Sequence, residues 1–336
     1  MTQRLIYLRM MFATLIASLA ASSSAWTINA RELVDVQFAA DDSLIILVSA
    51  PKAIEPGIYR WHHDAVEPTL LCRLASPTSF SFDRNTIIER VAGLTSEVRL
   101  YSPSTCELLD RIRVEGRVMD VDVQGNHVAV ALRFFGAPSE LRLYEARAKR
   151  EKNDTPVARA VIGRNVEMGF APDGRGIVNF DLSDGGAAAW QVPTLASFRL
   201  PLWTTQGETT FVPGSTFVKR YAKDTLTVAR WPSGNSVYTT VAARTVRIRQ
   251  LSVSGRYGIL HGFDSYVPHD QSLDWFDFAT QKRESLATGS IDNAAINASG
   301  NRVAWVLRSS DQANSVSVQS AQINADGTAI ATHGAK

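Results

Sequence analysis

The sequence predicts an all-β protein, a seven-bladed β-propeller of four-stranded antiparallel blades. Two observations predict it. A strand–turn–strand phrase recurs seven times, with turn residues Asp42, Arg84, Gly125, Gly174, Gly214, Gly255 and Gly300. The steps between these positions are 42, 41, 49, 40, 41 and 45 residues, close to the roughly 40–45 residues of one propeller blade. The second is an aromatic at the end of the third strand in six repeats, namely Trp61, Tyr101, Tyr144, Trp190, Trp231 and Phe276, with Gln319 in the seventh. A β-sandwich, the rival all-β fold, has no such regular recurrence.

In chain order, residues 1–25 read as a secretory signal peptide. Arg4 and Arg9 form a positive start, Met10 to Ala21 is apolar, and Ser23-Ser24-Ala25 supplies the small residues before a cut after Ala25. The apolar run is shorter than the roughly 20 residues that span a bilayer. No cysteine flanks the cut, so a lipidated form is not indicated. The chain is therefore expected to be secreted or periplasmic and not membrane-spanning, with residues 26–336 as a single propeller domain. Removing Arg4 and Arg9 takes the formal net charge from +2 to 0. A near-neutral chain with mixed charges lacks the basic stripe that nucleic acid requires.

The first hairpins read VQFAADDSLIILV, FSFDRNTIIERV, VDVQGNHVAVAL, MGFAPDGRGIVNF, TFVPGSTFVKRY, LSVSGRYGILHG and INASGNRVAWVL. Glycine or an Asx-type residue suits their tips, where hairpin turns need positive φ. The third strands follow as GIYRW, EVRLY, ELRLY, AAAWQ, LTVARW, LDWFDF and VSVQS. Radial sheets pack both faces against neighbours, and a large ring at one height fills the widening gap between blades. These rings are expected to be scaffold. Residues near Trp26 to Val34 are expected to complete the seventh sheet and close the ring. Cys72 and Cys106 pull two ways: an oxidising compartment favours a disulfide, whereas the repeat register sets them at different heights on neighbouring outer strands, which favours two thiols.

Period and aromatic position together resemble the seven-bladed propellers of the WD-repeat and bacterial YVTN-lactonase-like superfamily, over nearly all of the chain after residue 25. No Gly-His pair opens the blades and no Trp-Asp dipeptide closes them. The resemblance implies either a scaffold that docks other proteins or a lactonase- or lyase-like enzyme with an axial site.

In an antiparallel meander the A–B and C–D turns share one face, and the B–C and D–A loops share the other. The second set is longer and more varied, so the site is expected there, on loops carried by a rigid frame. Its candidate partner-binding residues are Arg133, Phe134, Phe135, Asp181, Trp203, Arg220, Tyr221, His261, Tyr266 and Arg308. Arginine and aromatics are enriched at protein interfaces, and guanidinium groups also suit a small anionic ligand. The loop from His261 to Gln271, the stretch Asp181 to Gly186 and the tip His62-His63-Asp64 carry metal-binding residue types, but none has the spacing of a metal site. No G-x-S-x-G elbow, H-E-x-x-H, C-x-x-C, C-x-x-C-H, phosphate loop or dinucleotide fingerprint occurs. No catalytic residue, metal or cofactor is assigned. The expectation is a non-enzymatic extracytoplasmic scaffold that binds a protein through its wide-loop face. The alternative is an enzyme pairing His261 with Glu167 or Asp181. A propeller subunit docking a periplasmic redox enzyme is a third reading, by analogy of fold alone.

Overall fold

The computed structural model describes residues 26–29, 34–48, 56–62, 64–74, 79–83, 86–91, 95–146, 154–163, 168–179, 188–205, 208–212, 215–222, 224–241, 246–263, 271–308 and 315–331. The leader lies outside them. Strand β1 is Trp26–Asn29. Blade 1 follows as β2 (Val34–Phe38), β3 (Leu44–Val48), β4 (Gly57–Trp61) and β5 (Thr69–Arg73), and blade 2 as β6 (Ser79–Asp83), β7 (Thr86–Val91), β8 (Ser96–Tyr101) and β9 (Leu108–Val114). Blade 3 is β10 (Arg117–Gln124), β11 (His127–Arg133), β12 (Ser139–Glu145) and β13 (Ala158–Ile162). Blade 4 is β14 (Met168–Phe170), β15 (Gly176–Asn179) and β16 (Ala188–Gln191), followed by the short 3-10 helix Leu202–Thr205. Blade 5 is β17 (Glu208–Phe211), β18 (Phe217–Ala222), β19 (Thr225–Arg230) and β20 (Ser236–Val241). Then come β21 (Val246–Leu251), β22 (Tyr257–Phe263), β23 (Gln271–Asp277), β24 (Lys282–Ile296), β25 (Arg302–Arg308), β26 (Ser315–Ile323) and β27 (Ala329–Ala331).

Six hydrogen-bonded sheets result, the largest with eight strands. Strand β24 joins two blades within that sheet: Lys282–Gly289 pairs with β23, and Ser290–Ile296 pairs with β25. Dividing it there leaves blade 6 (β21–β23 and the first half of β24) and blade 7 (the second half of β24, β25, β26 and β1). The apolar cores give the same count independently. Among the described residues six buried clusters each join one pair of successive blades, from Ile45, Leu47, Phe80 and Ile87 between blades 1 and 2 to Val36, Ile46, Ala304 and Val318 between blades 1 and 7, and in a seventh the half-buried Phe211 and Trp231 of blade 5 pack on Val178, Ala189 and Leu200 of blade 4. A closed circle of seven interfaces is a seven-bladed propeller. Ring closure uses β1, whose Trp26 and Ile28 sit opposite Val318 and Val316 of β26, as the sequence suggested.

The third-strand rings are core. Trp61 and Tyr144 are fully buried, and Trp190 and Phe276 nearly so. A buried ring of this size removes about 150–250 Å² from water, roughly 4–6 kcal/mol at the usual coefficient. Turn chemistry also follows the sequence: Asp42, Gly125, Gly174, Gly255 and Gly300 all have positive φ. At Gly255 the requirement is double, because a Cβ there would lie 2.7 Å from the Phe217 ring of blade 5.

Two expectations need correction. Blade 4 has three strands among the described residues; its fourth segment is reduced to a bridge between Trp190 and Ser197 and a bond from Phe198 N–H to the Ala189 carbonyl. Pro193 and Pro201 bracket this segment and supply no N–H to a ladder. Cys72 and Cys106 form a disulfide with Cα atoms 6.2 Å apart. The register argument failed because Cys106 is not on an outer strand. It occupies the C–D turn of blade 2 with φ of 60°, and that turn reaches back to β5 of blade 1.

Candidate functional site at the mouth of the axial channel

Contacts between blades run through their first strands, β2 against β6 and β24, and β10 against β14. These strands therefore line the axis, and each has one edge without a ladder partner. Its N–H groups need acceptors. Side chains supply them. Asp35 Oδ1 accepts from its own neighbour Val36 N–H at 2.8 Å and from Asn293 Nδ2 of blade 7, and the carboxylate also accepts from Phe82 N–H of blade 2. Asp120 takes Val121 N–H at 2.9 Å and Met168 N–H of blade 4 at 3.0 Å. Asp122 takes Val123 N–H and Phe170 N–H in the same way. Gln250 accepts from Ile296 N–H at 2.7 Å, crossing from blade 6 to blade 7. Carboxylates near the axis are thus stitches between blades.

Their electrostatics follow from this placement. Burial pushes the Asp35 carboxyl up to about 6, against the pull of the Val36 and Phe82 amides and the Arg249 charge. Burial likewise raises Asp120, opposed by Met168 N–H and by Arg90, whose guanidinium lies 3.8 Å away. Three first strands also carry a bulge near the wide-loop end, at Met119, Arg249 and Asp292. A bulge re-aims the extra residue out of the ladder.

Arg249 is held by a relay. Its Nε donates to His261 Nδ1 at 3.0 Å. An arginine can only donate, so Nδ1 is the acceptor and the imidazole carries its proton on Nε2. That nitrogen donates to Gln271 Oε1 at 2.9 Å, which also receives Ile291 N–H of blade 7 at 3.0 Å. Burial and the Arg249 charge hold His261 below its ordinary 6.5, while its bond to Gln271 acts the other way. The neutral form is the one this relay requires. On blade 7 the ion pair Arg308–Asp292 is half-buried.

The candidate residues divide. Arg133 and Phe135 are exposed at the loop between β11 and β12, and Phe135 has full solvent exposure at 109%. Arg220 is half-buried on β18, with its Nε enclosed and unbonded. Arg308 is committed to Asp292. Phe134 is half-buried against the core between blades 2 and 3, with Arg142 over its ring at 5.3 Å. Tyr221 is half-buried as well: its hydroxyl accepts from Ile248 N–H at 2.8 Å and its ring packs on the blade 5–6 core. His261 is on strand β22 rather than a loop, and is only 5% exposed. Trp203 is not on the wide-loop face. Its indole donates to Pro232 O at 3.2 Å and stands over Gly234, at the C–D turn of blade 5. The irregular fourth segment of blade 4 delivers it there. Asp181, Tyr266 and Glu167 lie outside the described residues.

Sequence reasoning missed Asp35, Asp120, Asp122, Arg249 and Gln250. Their signal is an ionic or amide residue alternating with valine in a first strand, as in VDVQ and MDVDVQ. Among the described residues no group of three or more His, Cys, Asp or Glu could hold a metal ion, and no helix is long and apolar enough to cross a membrane.

This architecture recurs in solved structures. A KlHsv2 variant with loop 6CD replaced by a Gly-Ser linker matches with a TM-score of 0.56 at 12% identity, covering 92% of this chain and 98% of that one. A chain in the crystal structure of the mitotic checkpoint complex matches with a TM-score of 0.53 at 10% identity, covering 88% and 95%. At such identities the likeness is one of fold: this chain is a β-propeller. No family model and no curated protein matches the sequence.

Proposed function

We propose that the protein is a non-enzymatic extracytoplasmic propeller that binds a protein partner through its wide-loop face. The observation that carries this reading is Phe135, an aromatic standing fully in solvent beside the exposed Arg133 on a loop of that face. Water-exposed phenyl groups next to arginine are the residue types that become buried anchors at interfaces. The Cys72–Cys106 disulfide supports an oxidising compartment. An enzyme using His261 as an acid or base would need a ring nitrogen facing substrate, and Arg249 and Gln271 occupy both. The neighbouring mitotic checkpoint complex is itself an assembly, which fits a docking role for this fold.

A cross-linking capture from an extracytoplasmic extract tests it, with residues 26–336 as bait beside an Arg133→Glu, Phe135→Asp variant. Both side chains are exposed, so the variant should keep its stability within about 0.5 kcal/mol. The expected result is a defined protein captured by the first bait and lost from the second. Undiminished capture by the variant would overturn the assignment of this face.

A further inference from the structure

The relay in blade 6 presents a guanidinium to the axis without spending it. Among the described residues, the one hydrogen bond of Arg249 is that from Nε to His261. Its two terminal nitrogens form no ion pair, although two carboxylates are within electrostatic reach, Asp35 and Asp292. Both of those are already engaged. Asp35 accepts from Val36, Phe82 and Asn293, and Asp292 is bound by Arg308. Arg247, two residues away, adds a second positive charge that repels Arg249. The bulge between Ile248 and Gln250 takes Arg249 out of the ladder, and the residue remains exposed within reach of Asp35 of blade 1 and Asp292 of blade 7. A chain of three donors and acceptors that fixes one edge of a guanidinium, while leaving the opposite edge open, is the arrangement by which proteins recognise carboxylates and phosphates. A merely structural arginine here would turn its terminal nitrogens to a neighbouring carbonyl or carboxylate.

We propose that Arg249, with Arg247 beside it, forms an oxyanion-binding site in the axial channel that takes a small carboxylate or phosphate. Arg249 makes the hydrogen bonds and Arg247 supplies field. His261 and Gln271 are positioning residues, because they act by holding Arg249. The two terminal nitrogens bond two oxygens of one ligand group. This site is separate from the loop carrying Phe135, and it holds or fails independently of the protein-partner reading.

The test is calorimetric titration of the full chain at low ionic strength with malonate and, separately, inorganic phosphate, using chloride as the control anion. At least one oxyanion should bind saturably with one site per chain. Arg249→Lys keeps the charge but loses the fork, and should weaken binding about tenfold or more; Arg249→Gln should abolish it. A second measurement does not depend on variants folding. The Arg249 Nε–H, held by His261, should shift in the ¹⁵N spectrum of the wild-type protein as ligand is added. No saturable binding of either anion, equal binding by a folded Arg249→Gln variant, or binding that leaves this resonance unmoved would each overturn the proposal. Malonate binding without phosphate binding would identify a carboxylate site, and the converse a phosphate site.

Discussion

Asp35 offers the sharpest test of the stitched inner ring. Its carboxyl is pushed from 3.8 up to about 6 in the folded chain, chiefly by burial. The native state therefore holds a proton that the unfolded chain releases between those two values. Stability falls with rising pH wherever the native state binds more protons. The contribution of this residue is thus greatest below pH 4 and is lost as pH rises through 6. The displacement corresponds to about 3 kcal/mol over that window, an upper bound because Asp35 is only half-buried. Asp35→Asn removes the titration. Its amide can still accept from Val36 N–H, though a nitrogen now faces one of the former donors, which costs about 1 kcal/mol at every pH. The informative quantity is therefore the slope of the difference and not its absolute value. Urea denaturation of both proteins at intervals from pH 4 to pH 7.5 measures it. Relative to the variant, the wild type should lose about 2–3 kcal/mol as pH rises. A difference that stays flat within about 0.5 kcal/mol, the additivity error of such comparisons, would refute the argument that burial governs this carboxyl.

Two further outcomes follow from the same contacts. Asp122→Ala leaves Phe170 N–H without its acceptor across the blade 3–4 boundary; it should cost about 1–3 kcal/mol and speed exchange of the Phe170 amide, whereas unchanged protection at Phe170 would show that the bond carries nothing. Reducing the Cys72–Cys106 bridge, which closes a loop of 34 residues in sequence separation, should lower stability by about 3–4 kcal/mol, read as the shift in denaturation midpoint with and without reductant; a Cys72→Ser, Cys106→Ser variant insensitive to reductant is the control.

The fold was legible because its signals are periodic. A blade needs a turn residue and a third-strand ring at fixed places, and Gly125, Gly174, Gly255, Tyr144 and Trp190 meet those needs in the sequence as they do in the structure. The exceptions are places where a local break overrides the period. Pro193 and Pro201 dissolve the fourth strand of blade 4, so Trp203 ends at a turn of blade 5 on the other face. Cys106 enters a turn one residue before Glu107, and that displacement brings it to Cys72. The site was less legible, because a polar residue at the end of a second strand has the same sequence appearance whether it faces solvent or a neighbouring blade. Tyr221 and His261 face inward and bond there, while Arg133 faces out.

The inner edge explains why the channel mouth keeps the character it has. Seven first strands converge with their unpaired edges toward one axis, and each N–H that a ladder cannot satisfy needs an oxygen from a side chain. Asp35, Asp120, Asp122 and Gln250 meet that need, so the axial acceptors are consumed by the fold itself. The carbonyls of the same edges take side-chain donors in turn, Met119 O from Arg90 and Ile248 O from Lys219 Nζ at 2.7 Å. Arg249 is not among those donors: held at Nε by a neutral imidazole, it keeps its terminal nitrogens. Among the described residues the axis offers no metal cage and keeps the Arg249 fork open.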